Sequence, residues 1–382
     1  LTSIAQETFS GIRLIKAYVQ EKANVHFFDQ ESDEYRHKSI ALARTQALFA
    51  PSMLLLVGMS TVLTIYIGGK QVIDGTITSG NIAEFVLYVN MLTWPVASLG
   101  WVTAMIQRAA ASQKRINAFL DTPPDIVSPN NQAVQLKGNL QFDQVTFTYP
   151  DTQIKALKKV SFTLRKGEKM AIVGRTGSGK STIAELLVRN YDIDEGKILL
   201  DQQDIQQLNL AALRQQIGYV PQDVFLFSDT INNNIAFGAP EVGETQIQQA
   251  AKDAAVYKDI IQLPDRFSTV VGERGVTLSG GQKQRVSLAR ALVKQPPILL
   301  LDDCLSAVDA ITEQAILEHL STYLADRTAI VITHRIFTSI NFDKILVLEQ
   351  GEVAEMGTHE ELLAQNGIYA NLYEKQHQET TA

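Results

Sequence analysis

Met170-Ala171-Ile172-Val173 runs directly into Gly174-Arg175-Thr176-Gly177-Ser178-Gly179-Lys180-Ser181, and this junction constrains the fold more than any other stretch. The eight residues fit G-x-x-x-x-G-K-[ST], a loop that holds phosphate groups. Such a loop belongs between a buried strand and the start of a helix, and Ser181-Thr182-Ile183 opens a helical stretch here. The glycines let backbone N–H groups curl round phosphate oxygens, and the helix N-terminus adds favourable dipole charge. Lys180 is placed to neutralise the β- and γ-phosphates of a nucleoside triphosphate, and the Ser181 hydroxyl to ligate Mg²⁺. Further on, Pro297-Ile298-Leu299-Leu300-Leu301-Asp302 is an apolar strand that ends in a carboxylate. With a phosphate loop upstream, Asp302 reads as a holder of Mg²⁺, directly or through water. Apolar runs at 169–173, 198–200, 298–301, 328–333 and 344–348 alternate with helical stretches, an α/β pattern.

The first third of the chain has a different character. Residues 45–69 and 85–107 carry no charged side chain. Each run is long enough to cross the ~30 Å hydrocarbon core as a helix, the second reaching back to about residue 82. Two buried helices of a water-soluble protein are the plain alternative, but two such runs are unusual outside membranes. The connection 70–80 is short, with Asp74-Gly75 as a turn signal. Arg36, Lys38 and Arg44 precede the first span, and Arg108, Lys114 and Arg115 follow the second. The positive-inside rule puts those ends in the cytoplasm and the short loop outside. Residues 1–44 are polar and helical in pattern, so a helix should continue below the membrane. Asp121-Thr122-Pro123-Pro124 ends this part, and 121–136 reads as a linker to a domain over 137–382. Net charge is −7, so nothing suggests nucleic acid as a partner. The one cysteine, Cys304, excludes an internal disulfide and reads as a small packed residue. The chain starts at Leu1 without a signal peptide and reads as a fragment whose N-terminal part is missing.

Leu278-Ser279-Gly280-Gly281-Gln282, about a hundred residues beyond the phosphate loop, matches the signature of the ATP-binding-cassette (ABC) ATPases, which this sequence resembles. The resemblance implies ATP and Mg²⁺ as ligands and a machine that closes as a dimer around ATP. The Ser279–Gln282 signature would face the γ-phosphate held by the other subunit. Tyr149 matches the aromatic residue that stacks on adenine. Gln222, in Val220-Pro221-Gln222, matches the Q-loop glutamine that contacts Mg²⁺ and relays to the membrane domain. Ser306-Ala307-Val308-Asp309 matches the D-loop, and His334, in Ile332-Thr333-His334-Arg335, the switch histidine. Val271-Gly272-Glu273-Arg274-Gly275 resembles the X-loop of ABC exporters. Residues 8–20 look like a coupling region of the membrane domain, where its fourth helix turns into its fifth. The two spans would then be the fifth and sixth of six, in a multi-pass protein of the cell membrane with its nucleotide domain in the cytoplasm.

One position departs from the family. Active members have a glutamate after the Asp302 position, where it polarises the attacking water, and this chain has Asp303. Asp is one methylene shorter, which sets its carboxylate back by about 1.5 Å, and misplacement of about 1 Å can cost on the order of 10²-fold in rate. Several heterodimeric exporters carry this change in one half, whose intact signature completes the competent site of the partner. The resemblance therefore implies an exporter half that pairs with a second, different half and moves a small amphipathic substrate, a drug or a lipid, across the lipid bilayer. Its own site would turn ATP over slowly, with Asp303, His334 and Gln222 as the catalytic set. A homodimer using Asp303 as a poor base stands beside this reading, as does the second half of a fused exporter. A soluble ABC ATPase of translation or DNA repair and a non-catalytic regulatory or channel module complete the alternatives.

Overall fold

A long uncharged run can satisfy its backbone in lipid only as a helix, and the first unit consists of helices. Glu21–Ile73 is one helix of 53 residues and Ser79–Leu120 another of 42. At ~1.5 Å per residue both exceed the ~30 Å hydrocarbon core. Spans 45–69 and 82–107 fall inside them, and Pro51 and Pro95 interrupt neither helix. The most apolar windows have mean hydropathies of 2.0 and 1.4, and no part of them is buried. Leu54, Leu55, Phe85, Trp94 and Trp101 are exposed, so these are not the core helices of a water-soluble fold. Asp74 and Gly75, the latter at φ +73°, make the turn between them. Close to it the helices touch: a Cβ on Gly68 would lie 2.9 Å from Ile82 Cγ1. Two short helices, Thr2–Ser10 and Ile12–Ala17, break at Gly11 and precede the long pair. This unit comprises Leu1–Pro123, and Pro124–Ala382 forms the second. The computed structural model describes residues 1–132, 134–239, 241–272, 275–308, 310–334 and 340–381, the side chains of 310–311 and 377–381 aside. Glu273, Arg274, Asp309 and Arg335, each part of a motif above, lie outside the described residues.

Among the described residues the second unit has ten strands: β1 (Leu140–Thr148), β2 (Lys155–Leu164), β3 (Lys169–Val173), β4 (Glu195–Leu200), β5 (Gln203–Asp204), β6 (Ile217–Val220), β7 (Ile298–Asp302), β8 (Thr328–Ile332), β9 (Lys344–Glu349) and β10 (Glu352–Gly357). Six of them form a sheet in the order β10-β9-β3-β8-β7-β6, and the other four an antiparallel sheet in the order β2-β1-β4-β5. In the six-stranded sheet only β10 runs antiparallel. Both faces of this sheet are buried, and alternate residues of each strand divide between them. Ala171, Val173, Leu299, Leu301, Ala329, Val331, Ile345 and Val347 enter one core cluster. Met170, Ile172, Ile298, Leu300, Ile330, Ile332, Leu346 and Leu348 enter the other. That explains why these strands read as unbroken apolar runs: a sheet covered on both sides has no solvent face to alternate with.

The segment before β1 is tied to this unit. Asn130 Nδ2 donates to Gln207 O at 2.9 Å, Asn209 Nδ2 to Asn130 O at 2.8 Å, and Leu136 N to Gln216 Oε1 at 2.6 Å. Of the strands only β1, β2, β5, β6 and β10 were absent from the alternation of apolar runs in the sequence. Leu300 is fully buried in β7, with β6 and β8 on either side. Leu300→Ala should destabilise the second unit by about 2–5 kcal/mol, the lost transfer energy plus the cavity left behind. Thermal unfolding of the full chain checks this, and an unchanged midpoint would mean that the sheet repacks freely.

Candidate nucleotide site

Polar groups in a sheet buried on both faces can be exposed only at the strand ends, and the candidate residues gather there. Gly174–Ser181 follows β3, Gln222 follows β6, Asp302 ends β7 with Asp303 after it, and His334 lies just past β8. The phosphate loop passes tightly against neighbouring backbone. A Cβ on Gly174, at φ +155°, would sit 2.2 Å from Leu348 O, and one on Gly179, at φ +97°, 2.4 Å from Ala156 O. No other residue type fits either place. The helix Lys180–Leu187 then starts with no side chain capping its free N–H groups, so they remain available to an anion.

These ends enclose one cleft of about 490 Å³. Its walls include Tyr149, Thr176, Gly177, Gly179, Lys180, Ser181, Thr182, Gln222, Asp302, Asp303 and His334. Gly174, Arg175 and Ser178 are not among the walls: the carbonyls of Gly174 and Arg175 each accept from Lys180 Nζ at 2.8 Å, Arg175 is exposed and Ser178 is buried. Tyr149 is half-buried, edge-on to Phe147 and Tyr191, with its hydroxyl 3.0 Å from Thr182 Oγ1. Its ring is thereby fixed over the first turn of the helix. Ile154, Ala156, Gln350 and Gly351 also line the cleft. Ala156 lies in β2 with Ile154 just before it, Gln350 and Gly351 make the turn between β9 and β10, and no motif in the sequence singles them out.

The electrostatics are those of a cation and anion site. Asp302 is 2% exposed, and its Oδ1 has no hydrogen-bond partner among the described residues. Burial, with Asp303 and Glu185 adding like charge, pushes its carboxyl up to about 6, against the opposing pull of the Ser181 hydroxyl and Lys180. Glu185, one turn beyond Ser181, escaped notice in the sequence; it accepts from the Tyr219 hydroxyl at 3.0 Å. Burial likewise lowers the Lys180 ammonium, while Asp302 and Asp303 hold it up. Asp303 takes φ +45°, and its Oδ1 lies 2.9 Å from His334 Nδ1. A buried, unpartnered carboxylate oxygen beside a serine hydroxyl and an exposed glutamine fits a hard divalent cation. An uncapped helix start beside a lysine fits phosphate groups.

Ser279–Gln282 are not among the walls of this cleft. Ser279 caps the helix Gly280–Leu292: its N–H donates to Gln282 Oε1 at 3.0 Å, and Gln282 N donates to Ser279 Oγ at 3.3 Å. Ser279 and Gly280 are exposed. The structure thus brings the phosphate loop, Gln222, Asp302, Asp303, His334 and Tyr149 together and leaves the signature on a separate surface.

The chain is similar to known proteins over nearly its whole length. Residues 157–306 match the ABC transporter family and residues 1–96 the ABC transporter transmembrane region. A probable multidrug resistance ABC transporter ATP-binding/permease protein, YheI of Bacillus subtilis (strain 168), is 43% identical over 97% of this chain and 63% of its own length. An ATP-dependent lipid A-core flippase of Syntrophus aciditrophicus (strain SB) is 40% identical over 99% of this chain and 63% of its own. The structure of a bacterial Atm1-family ABC exporter with ATP bound superimposes with a TM-score of 0.89 at 36% identity, over 98% of this chain and 66% of that one. The chain thus spans a little under two thirds of the length of the relatives it matches. It is embedded in the membrane, with its nucleotide domain on the cytoplasmic side. With a transmembrane helical region joined to an α/β ATPase domain, the chain belongs to the ABC transporter family and has the exporter arrangement.

Proposed function

We propose that this chain is part of a half-transporter that uses ATP to export a small amphipathic substrate, a drug or a lipid. ABC exporters dimerise, and the observation that carries the reading is the separation of the Ser279 cap from the cleft. One chain lacks a complete site; a second chain's signature would close over the nucleotide bound here, and Ser279–Gln282 would close over the second chain's nucleotide. The relatives named for multidrug resistance and lipid A-core flipping support an amphipathic cargo. Spans over 45–69 and 82–107 would line part of the pathway, residues 8–20 would form the coupling region, 121–136 the linker and 137–382 the nucleotide domain.

In this account Tyr149 stacks on adenine. Lys180, Ser178, Thr182 and the backbone N–H groups of 174–181 bind the phosphates. Ser181, Asp302 and Gln222 would hold Mg²⁺, which would supply charge neutralisation at the phosphate oxygens. Asp303 would orient the attacking water and His334 would steady the γ-phosphate. Their mutual 2.9 Å contact ties the two roles together. Because Asp303 is a methylene short of the family's glutamate, we read this site as the slow one of a heterodimer, with flux carried at the partner's site. Membrane lipid surrounds the spans.

Two substitutions test the assignment. Lys180→Ala should weaken binding of a fluorescent ATP analogue to the full-length chain roughly tenfold or more, since hydrogen bonds to charged groups contribute about 1.5–3 kcal/mol. Unchanged affinity would remove Lys180 from the site. Asp303→Asn should alter steady-state phosphate release by the purified transporter only modestly, whereas replacing the partner's glutamate should lower it by ~10²–10⁴-fold, the usual contribution of a general base. A loss of that size from Asp303→Asn, in a preparation holding only this chain, would establish the homodimer instead.

A further inference from the structure

The helix that starts at the phosphate loop carries a carboxylate that is not among the walls of the cleft. Glu185 follows Ser181 by four residues, so the two share one face of the helix Lys180–Leu187. That helix lies against β7. Alternation along β7 puts Asp302 on the face that Ile298 and Leu300 share. Leu300 packs in one cluster with Ile183, Leu186 and Leu187 of the helix and with Tyr219 of β6, its partner across the sheet. Asp302 is thereby turned towards the helix, where the Ser181 hydroxyl bonds to it.

Glu185 is fixed in the same layer from two sides. Its Oε1 accepts from the Tyr219 hydroxyl at 3.0 Å, and its Oε2 from Asn190 Nδ2. Both oxygens accept, as those of an ionised carboxylate do. Burial, then the charge and the bond of Glu185, push the Tyr219 hydroxyl above the usual phenol range, so it keeps the proton it donates. The bond also ties together two elements that lead to proposed Mg²⁺ ligands. Ser181 lies one turn before Glu185, and β6 runs through Tyr219 and Val220 towards Gln222.

We propose that Glu185 is a positioning residue that makes nucleotide binding in this cleft depend on a divalent cation. It acts through Asp302, from behind the wall, and its bond to Tyr219 keeps its charge, the Ser181 helix and the strand before Gln222 at a fixed spacing. This rests on the reading that Ser181, Asp302 and Gln222 hold Mg²⁺. Asp302 and the two carboxylates that act on it stand against one ammonium, that of Lys180. The excess of negative charge opposes the phosphates of a bare nucleotide, and one divalent cation cancels it.

The test is equilibrium binding of a fluorescent ATP analogue to the full-length chain, first in EDTA and then across a Mn²⁺ titration. Glu185→Gln keeps the side-chain shape and an acceptor for Tyr219 and removes the charge. It should move two readings in opposite directions. In EDTA the variant should bind the analogue more tightly, by roughly three- to tenfold, the scale of one unit charge across a partly solvated site. The rise in affinity on adding Mn²⁺ should shrink by a similar factor. Tyr219→Phe leaves the charge but frees it to turn away, so it should move both readings the same way and by less. A carboxylate that only braced the helix would weaken binding in both conditions when replaced. Parallel losses from Glu185→Gln, or no change in either reading, overturn the proposal. Asp302→Asn separates this from the reading beneath it. If Asp302→Asn keeps the full response to Mn²⁺, the metal assignment fails. If it abolishes that response while Glu185→Gln leaves it at the wild-type level, only the role of Glu185 fails.

Discussion

Burial of the six-stranded sheet on both faces is the constraint on which the rest of the second unit depends. Ile298, Leu299, Leu300 and Leu301 point alternately into two separate cores, so β7 has no side left for a polar group until Asp302. The same holds for β3 from Met170 to Val173 and for β8 from Ala329 to Ile332. Chemistry is thereby pushed to the carboxyl ends of the parallel strands, where four chain segments meet around one cleft. The antiparallel sheet adds Tyr149 at the end of β1, close enough to touch Thr182.

That crowding has an electrostatic consequence. Asp303, Glu185 and Lys180 all act on Asp302, and water is largely excluded from it. A carboxylate in such a place gains from a cation, and a lysine bonded only to loop carbonyls gains from an anion. The cleft is poised for a pair of opposite charges, which a metal–triphosphate supplies. In the proposed reading Asp303 changes geometry more than charge: a carboxylate is still there, 2.9 Å from His334 Nδ1, but on a shorter stem than glutamate's.

Much of this was legible in the sequence, for physical reasons. Glycines that no side chain can replace, at 174 and 179, leave a fixed spacing. Strands buried on two faces leave apolar runs, and spans leave runs without charge. The antiparallel sheet was not read, because β1 and β2 mix buried and exposed positions irregularly across three register shifts. The turns that bring Ile154, Ala156 and Gly351 to the cleft carry no periodic signal. Residues 128–136 read as linker because asparagine, serine and proline are turn formers, yet Ser128, Asn130 and Leu136 are fastened to 207–216 by side-chain hydrogen bonds that spacing cannot reveal.

The central claim is that nucleotide is enclosed between the cleft of one chain and the Ser279 surface of another. Oxidative cross-linking measures this directly. Ser279→Cys would be placed in this chain and a cysteine in the phosphate loop of the second chain, with the buried Cys304 replaced by alanine. The account predicts a cross-linked pair of chains that forms with ATP and Mg²⁺ and is lost when ATP is withheld. A cross-link indifferent to ATP, or none between chains under turnover, would contradict it.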